Sequence, residues 1–133
     1  MFPLELVILG TPMSGQGSRD AKRFWMQQVS SAARAAIGVP ATVPVDSVVL
    51  RVAYFFADAP AADLDNIVKP IQDALTGIAF EDDVQVVDLI ASMRPKIGTD
   101  RIAMSSTLAR GFAGDSDFVH IVMDVSTRIE ALR

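Results

Sequence analysis

Between residues 46 and 56 the chain reads Asp-Ser-Val-Val-Leu-Arg-Val-Ala-Tyr-Phe-Phe. In an extended strand, Val48, Leu50, Val52, Tyr54 and Phe56 fall on one face, and Val49, Ala53 and Phe55 on the other. A strand that is apolar on both faces does not sit comfortably at a solvated edge. The pattern therefore predicts a central strand over Asp46 to Phe56.

The flanking segments supply the partners. Leu4 to Leu9 is a first strand, ended by Gly10-Thr11-Pro12 and the loop residues Ser14 to Ser18. A helix from about Ser18 to Ile37 places Ala21, Phe24, Trp25, Ala32, Ala33 and Ala36 mostly on one face, and Gly38 and Pro40 end it. A second helix runs from about Asp65 to Thr76. Its buried stripe is Ile67, Ile71, Ala74, Leu75 and Ile78, its polar face carries Asp65, Lys69, Gln72 and Asp73, and Gly77 terminates it. Pro70 belongs in the first turn or at a kink.

Phe80 to Asp83 is a turn into a strand from Val84 to Met93. Ile97 to Ser116, with Arg101 and Arg110, has the polar, small-residue composition of a long hairpin loop or mobile flap. A last strand, Phe118 to Val125, precedes a short C-terminal helix. The expected architecture is α+β: one domain over residues 1–133, a mixed β-sheet with two main helices, in the order strand, helix, strand, helix, strand, strand.

The 133 residues include no cysteine, which removes disulfides, thiolate catalysis and zinc-thiolate sites. The N-terminus lacks the basic and apolar regions of a signal peptide, and no apolar run approaches the roughly 20 residues that span a bilayer. A cytoplasmic protein with no membrane association is the expectation.

The net charge of −4 argues, as a sum, against binding phosphates. Its distribution says more. From Asp58 to Asp88 there are eight acidic residues and one base, Lys69; the rest of the chain has 8 acids and 11 bases, a balance of +3. The negative charge is gathered where a cation could neutralise it.

Asp63-Leu64-Asp65-Asn66, Lys69 and Glu81-Asp82-Asp83 form the core of that window. Carboxylates brought to one edge of the sheet would be hard oxygen ligands of the kind Mg2+ prefers, and a cation would relieve their repulsion. Lys69, one turn after Asp65, could hold a phosphate oxygen. The ordinary alternatives are a helix N-cap at Asp63 or Asp65, an i,i+4 surface pair of Asp65 with Lys69, and a solvated turn at 81–83.

The run from Asp63 to Leu75, followed by Asp82-Asp83-Val84-Gln85-Val86, resembles the signature of the RusA family of Holliday junction resolvases, D-x-D-N-x-x-K-x-x-x-D-A-L and then D-D-x-Q-V. The loop at Gly10 to Ser14 and the helix carrying Trp25 are similar more weakly. The resemblance implies a homodimeric endodeoxyribonuclease that uses Mg2+ or Mn2+ to cut four-way DNA junctions, leaving 5′-phosphate and 3′-hydroxyl ends. It implies metal binding by Asp63, Asp65 and Asp83, with Asp82 as the alternative to Asp83, and an active-site role for Lys69. Where many relatives carry basic residues before the first of these acids, this chain has Ala59-Pro60-Ala61-Ala62. Two rival functions are a RusA-like module that binds DNA or protein without cutting, and a metal-dependent nucleotide hydrolase.

Arg19, Lys22 and Arg23 open the first helix, either as phosphate-backbone contacts or as a solvated face. Gly10 to Gly17 is not a P-loop, because Gly15 is followed by Gln16 where that motif needs lysine. Asp63-Leu64-Asp65 lacks the preceding apolar strand of dehalogenase-type phosphatases. His120, the only histidine, is expected on the surface of its strand rather than as a ligand.

Overall fold

A computed structural model of the protein describes residues 3–13, 18–38, 47–97 and 104–125. Its elements are β1 (Leu4–Leu9), α1 (Arg19–Ile37), β2 (Val48–Phe56), α2 (Leu64–Leu75), β3 (Val86–Pro95), α3 (Ser106–Ala113) and β4 (Phe118–Val125). The four strands form one mixed sheet in the order β1-β4-β2-β3. β2 runs parallel to β3, and β4 runs antiparallel to both β1 and β2. The doubly apolar β2 is thus an inner strand.

Strand alternation sends side chains to two different cores. Leu6, Leu50, Val52, Tyr54 and Ile121 pack with Trp25, Val29 and Ala33 of α1 and Ile67, Ile71 and Leu75 of α2. Each such aliphatic side chain contributes roughly 1.5–3 kcal/mol by leaving water. Val7, Phe55 and Phe118 face the other way and pack with Leu108 of α3. The sheet therefore lies between a pair of helices and a single short one.

α3 corrects part of the expectation of a loop or flap over Ile97 to Ser116: Ser106–Ala113 is helical, a third helix among the described residues. Ser105 caps it, its Oγ accepting from the Leu108 amide at 3.0 Å. Leu108 and Phe112, four residues apart, turn inward toward the sheet. Gly111 lets the helix approach: a Cβ there would overlap the Phe118 ring. Phe118 stacks on Phe55 at 4.9 Å, and Phe112 meets both rings edge-on.

Other boundaries shift for local reasons. The third strand begins at Val86, not Val84, because Asp83–Gln85 forms a 3-10 turn first. Pro70 stands at the seventh position of α2, past the first turn; its ring is buried, and it withholds the amide that would otherwise bond the Asn66 carbonyl. Phe24 is 63% exposed and Ala36 is also exposed, so the buried face of α1 is narrower than its spacing suggests. Ser30 ties α1 to α2 by donating to the Ala74 carbonyl at 2.9 Å. Asp46, the Ser14–Gly17 loop, Arg101 and the expected C-terminal helix lie outside the described residues.

Candidate active site at the mouth of the second helix

β2 ends at Phe56, and a short Pro-containing connection carries the chain to Asp63, the N-cap of α2. The Asp63 backbone carbonyl accepts from Asn66 and Ile67, but its carboxylate makes no capping hydrogen bond. The ordinary explanation of an aspartate at this position therefore does not apply to its side chain. The helix N-terminus, with its partial positive charge, still favours carboxylates there. Asp65 follows in the first turn, exposed at the rim of a groove of about 510 Å³ between α2 and β3. Leu64, Val68, Leu89 and Ala91 give this groove an apolar floor, and Lys69 shares the rim.

Lys69 does not pair with Asp65. Its Nζ lies 2.8 Å from Asp73 Oδ1, both side chains being well exposed. Asp73, first through this hydrogen bond and then through its charge, holds the Lys69 ammonium above its usual pKa, and Asp83 adds a smaller push in the same direction. Asp83 is thus within electrostatic reach of Lys69.

Asp82 and Asp83 have different surroundings. Asp82 caps the 3-10 turn: its Oδ1 accepts from the Val84 amide at 3.2 Å, and Gln85 Oε1 accepts in return from the amides of Glu81 and Asp82. The Val84 amide, followed by the neighbouring Asp83 side chain, draws the Asp82 pKa below the usual carboxylate value. Asp82 is occupied as a cap, and Asp83 opens the turn, exposed.

The parallel pairing of β2 and β3 spreads these groups along one face. Asp63 follows the C-terminal end of β2, whereas Asp83 precedes the N-terminal end of β3, where Val86 lies opposite Val48. α2 runs between the two ends, and its eight-residue step from Asp65 to Asp73 covers about 12 Å of axis. Lys69 stands midway. Among the described residues, no three acidic or histidine side chains converge closely enough to hold a metal ion. The donor chemistry nevertheless fits a hard divalent cation. Mg2+ is commonly bound by one or two carboxylates with substrate phosphates, not by an all-protein cage.

Arg19 and Arg23 are exposed and Lys22 half-buried on the first turns of α1, along a separate shallow groove of about 310 Å³ with Met26. His120 departs from the expected surface position. It is largely enclosed, its Nε2 2.7 Å from Glu5 Oε2, an oxygen that also accepts from Ser105 Oγ at 2.5 Å. Sequence reasoning missed this cluster, and also the Tyr54–Asp117 pair behind the loop to Asp63. A phenol on an otherwise apolar face was the one available signal, since buried tyrosine hydroxyls seek partners.

Among the described residues no helix is long and apolar enough to cross a membrane. A search of curated protein sequences returned no match. The family model described as Endodeoxyribonuclease RusA matches residues 18–104, a stretch that runs from the N-cap of α1 past β3 and contains Asp63, Asp65, Lys69, Asp82 and Asp83. With nearly two thirds of its length matched and a mixed sheet carrying these acids beside α2, the chain belongs to the RusA family of endodeoxyribonucleases.

Proposed function

We propose that the protein is a Mg2+- or Mn2+-dependent nuclease that resolves four-way DNA junctions in recombination and repair, with Asp63 and Asp65 as its metal-binding pair; Asp83, the third carboxylate that the family resemblance implies, stands at the other end of α2 and does not meet them in this structure. The observation that carries this reading is the family match across the whole acidic motif, reinforced by an Asp63 carboxylate left free at a helix N-cap. As that third carboxylate, Asp83 is preferred to Asp82 because Asp82 is engaged by the Val84 amide. A divalent cation held by Asp63 and Asp65 would supply Lewis acidity to the scissile phosphodiester. Lys69, released from Asp73, neutralises a phosphate oxygen. Arg19, Lys22 and Arg23 contact the phosphate backbone away from the scissile bond.

A homodimer suits a junction with two equivalent strands. β3 is an edge strand with Leu89 and Ile90 about half exposed, and a second copy of the chain seated there would cover an edge that otherwise invites uncontrolled pairing. Sedimentation would then give twice the monomer mass, and Ile90→Lys would return the monomer.

The cleavage test uses a synthetic four-way junction with and without Mg2+, for the native protein and Asp65→Asn. Metal-dependent symmetric nicking by the native protein, lost in Asp65→Asn, is the expected result; equal cutting by both would remove the carboxylates from catalysis. The spread of the acids along α2 favours one second reading, a module that binds junctions without cutting. Retarded but uncut DNA with both proteins would establish that instead.

A further inference from the structure

Asp117, the residue before β4, gathers one corner of the sheet. Its Oδ2 accepts from the Tyr54 hydroxyl at 2.6 Å and, at 3.5 Å, from Thr11 Oγ1. Its Oδ1 accepts from the Ala57 amide at 2.9 Å, and its backbone carbonyl accepts from the Gly10 amide at 2.8 Å. The Tyr54 oxygen in turn accepts from the Ala61 amide at 3.1 Å. The ends of β1, β2 and β4 are therefore joined through one carboxylate and one phenol. Lys96 steadies the turn that presents Asp117, donating to the carbonyls of Gly114 and Ser116 at 2.7 and 2.9 Å.

Ala57 and Ala61 belong to the connection that delivers Asp63 to the mouth of α2. Both amides are tied to the same pair, whose ring is buried and whose short hydrogen bond is charge-assisted. Asp63 itself has no side-chain bond to its helix, so its carboxylate is placed by its backbone, which the Asn66 and Ile67 amides hold on one side and the 57–62 connection on the other. We infer that Tyr54 and Asp117 are positioning residues that hold the 57–62 connection so that Asp63 and Asp65 present their carboxylates together to a divalent cation. The inference rests on the metal-binding role of Asp63 and Asp65. Asp117 lies beyond the stretch matched to the family, so this support comes from this chain's own C-terminal segment.

The test measures Mn2+ binding by calorimetry for the native protein, Tyr54→Phe, Asp117→Asn and Asp63→Asn, with amide hydrogen exchange at Ala57 and Ala61. Tyr54→Phe keeps the buried ring and removes only the hydroxyl. Loss of a supporting partner behind metal ligands typically lowers affinity by about 10–100-fold. Tyr54→Phe and Asp117→Asn should weaken Mn2+ by that factor and speed exchange at both amides, while remaining folded. Asp117→Asn leaves the core ring in place and decides the matter if Tyr54→Phe does not fold. A purely structural role would lower the unfolding temperature and leave the Mn2+ affinity of the folded protein unchanged, which overturns the inference. If Asp63→Asn abolishes Mn2+ binding while both positioning variants bind normally, the inference alone fails. Normal binding by Asp63→Asn overturns the metal reading and the inference with it.

Discussion

The two faces of the sheet are held by different chemistry. On the α1–α2 face, a broad aliphatic core with Trp25 and Phe80 carries the fold, and the acidic residues stand outside it in water. On the α3 face, four buried residues and the ring of Phe112 make a small aromatic cluster, beside which Glu5 links Ser105 to His120. The first face can lose a surface group without losing its packing. The second depends on close fit and on a polar clasp, so small changes there should register as stability.

The largest expected effect is on the small face. Phe118 is fully buried between Phe55 and Phe112, and Phe118→Ala should cost about 3–5 kcal/mol in denaturant unfolding. A value below 1 kcal/mol would mean that this face contributes little. Next is Gly111→Ala, where overlap with the Phe118 ring should cost roughly 1–3 kcal/mol despite alanine's better helix propensity. A more stable variant would show that α3 can move away freely.

The smallest effect is in acid. The Ser105 hydrogen bond, and then the bond and charge of His120, outweigh burial and hold the Glu5 pKa below its ordinary value of 4.5. The folded protein therefore binds this proton less readily than the unfolded chain. The stabilisation is complete above about pH 4.5 and fades as pH falls through the lowered folded-state value. Glu5→Gln should flatten that part of the pH–stability curve while leaving Mn2+ binding at the other corner unchanged. A curve that keeps its acid slope would place the linkage elsewhere.

The same contrast explains what could be read from the residues alone. β1, β2, α2 and β4 announce themselves through strong periodicity, and the acidic motif is local in sequence, spread over some twenty residues. α3 is eight residues long, begins Ser-Thr and carries a glycine, so propensity argues against it. Only its contact with Phe118 reveals why the glycine is needed. The separation of Asp63 from Asp83 was equally hidden. It depends on β2 and β3 being parallel, which no local pattern specifies. The Tyr54–Asp117 bond joins residues 63 positions apart, and spacing rules do not reach that far.

The insertion of β4 between β1 and β2 has a consequence for how the molecule is made. Leu4 pairs with Met123, so the first strand has no neighbour until almost all of the chain is present. Such distant pairings are slow to close, because the entropy of a long loop must be overcome before any contact rewards it. On the ribosome, β1 and β2 would wait with open edges for the segment that joins them. A chain cut before residue 118 would lack the middle of its sheet and could not be rescued by an intact acidic motif.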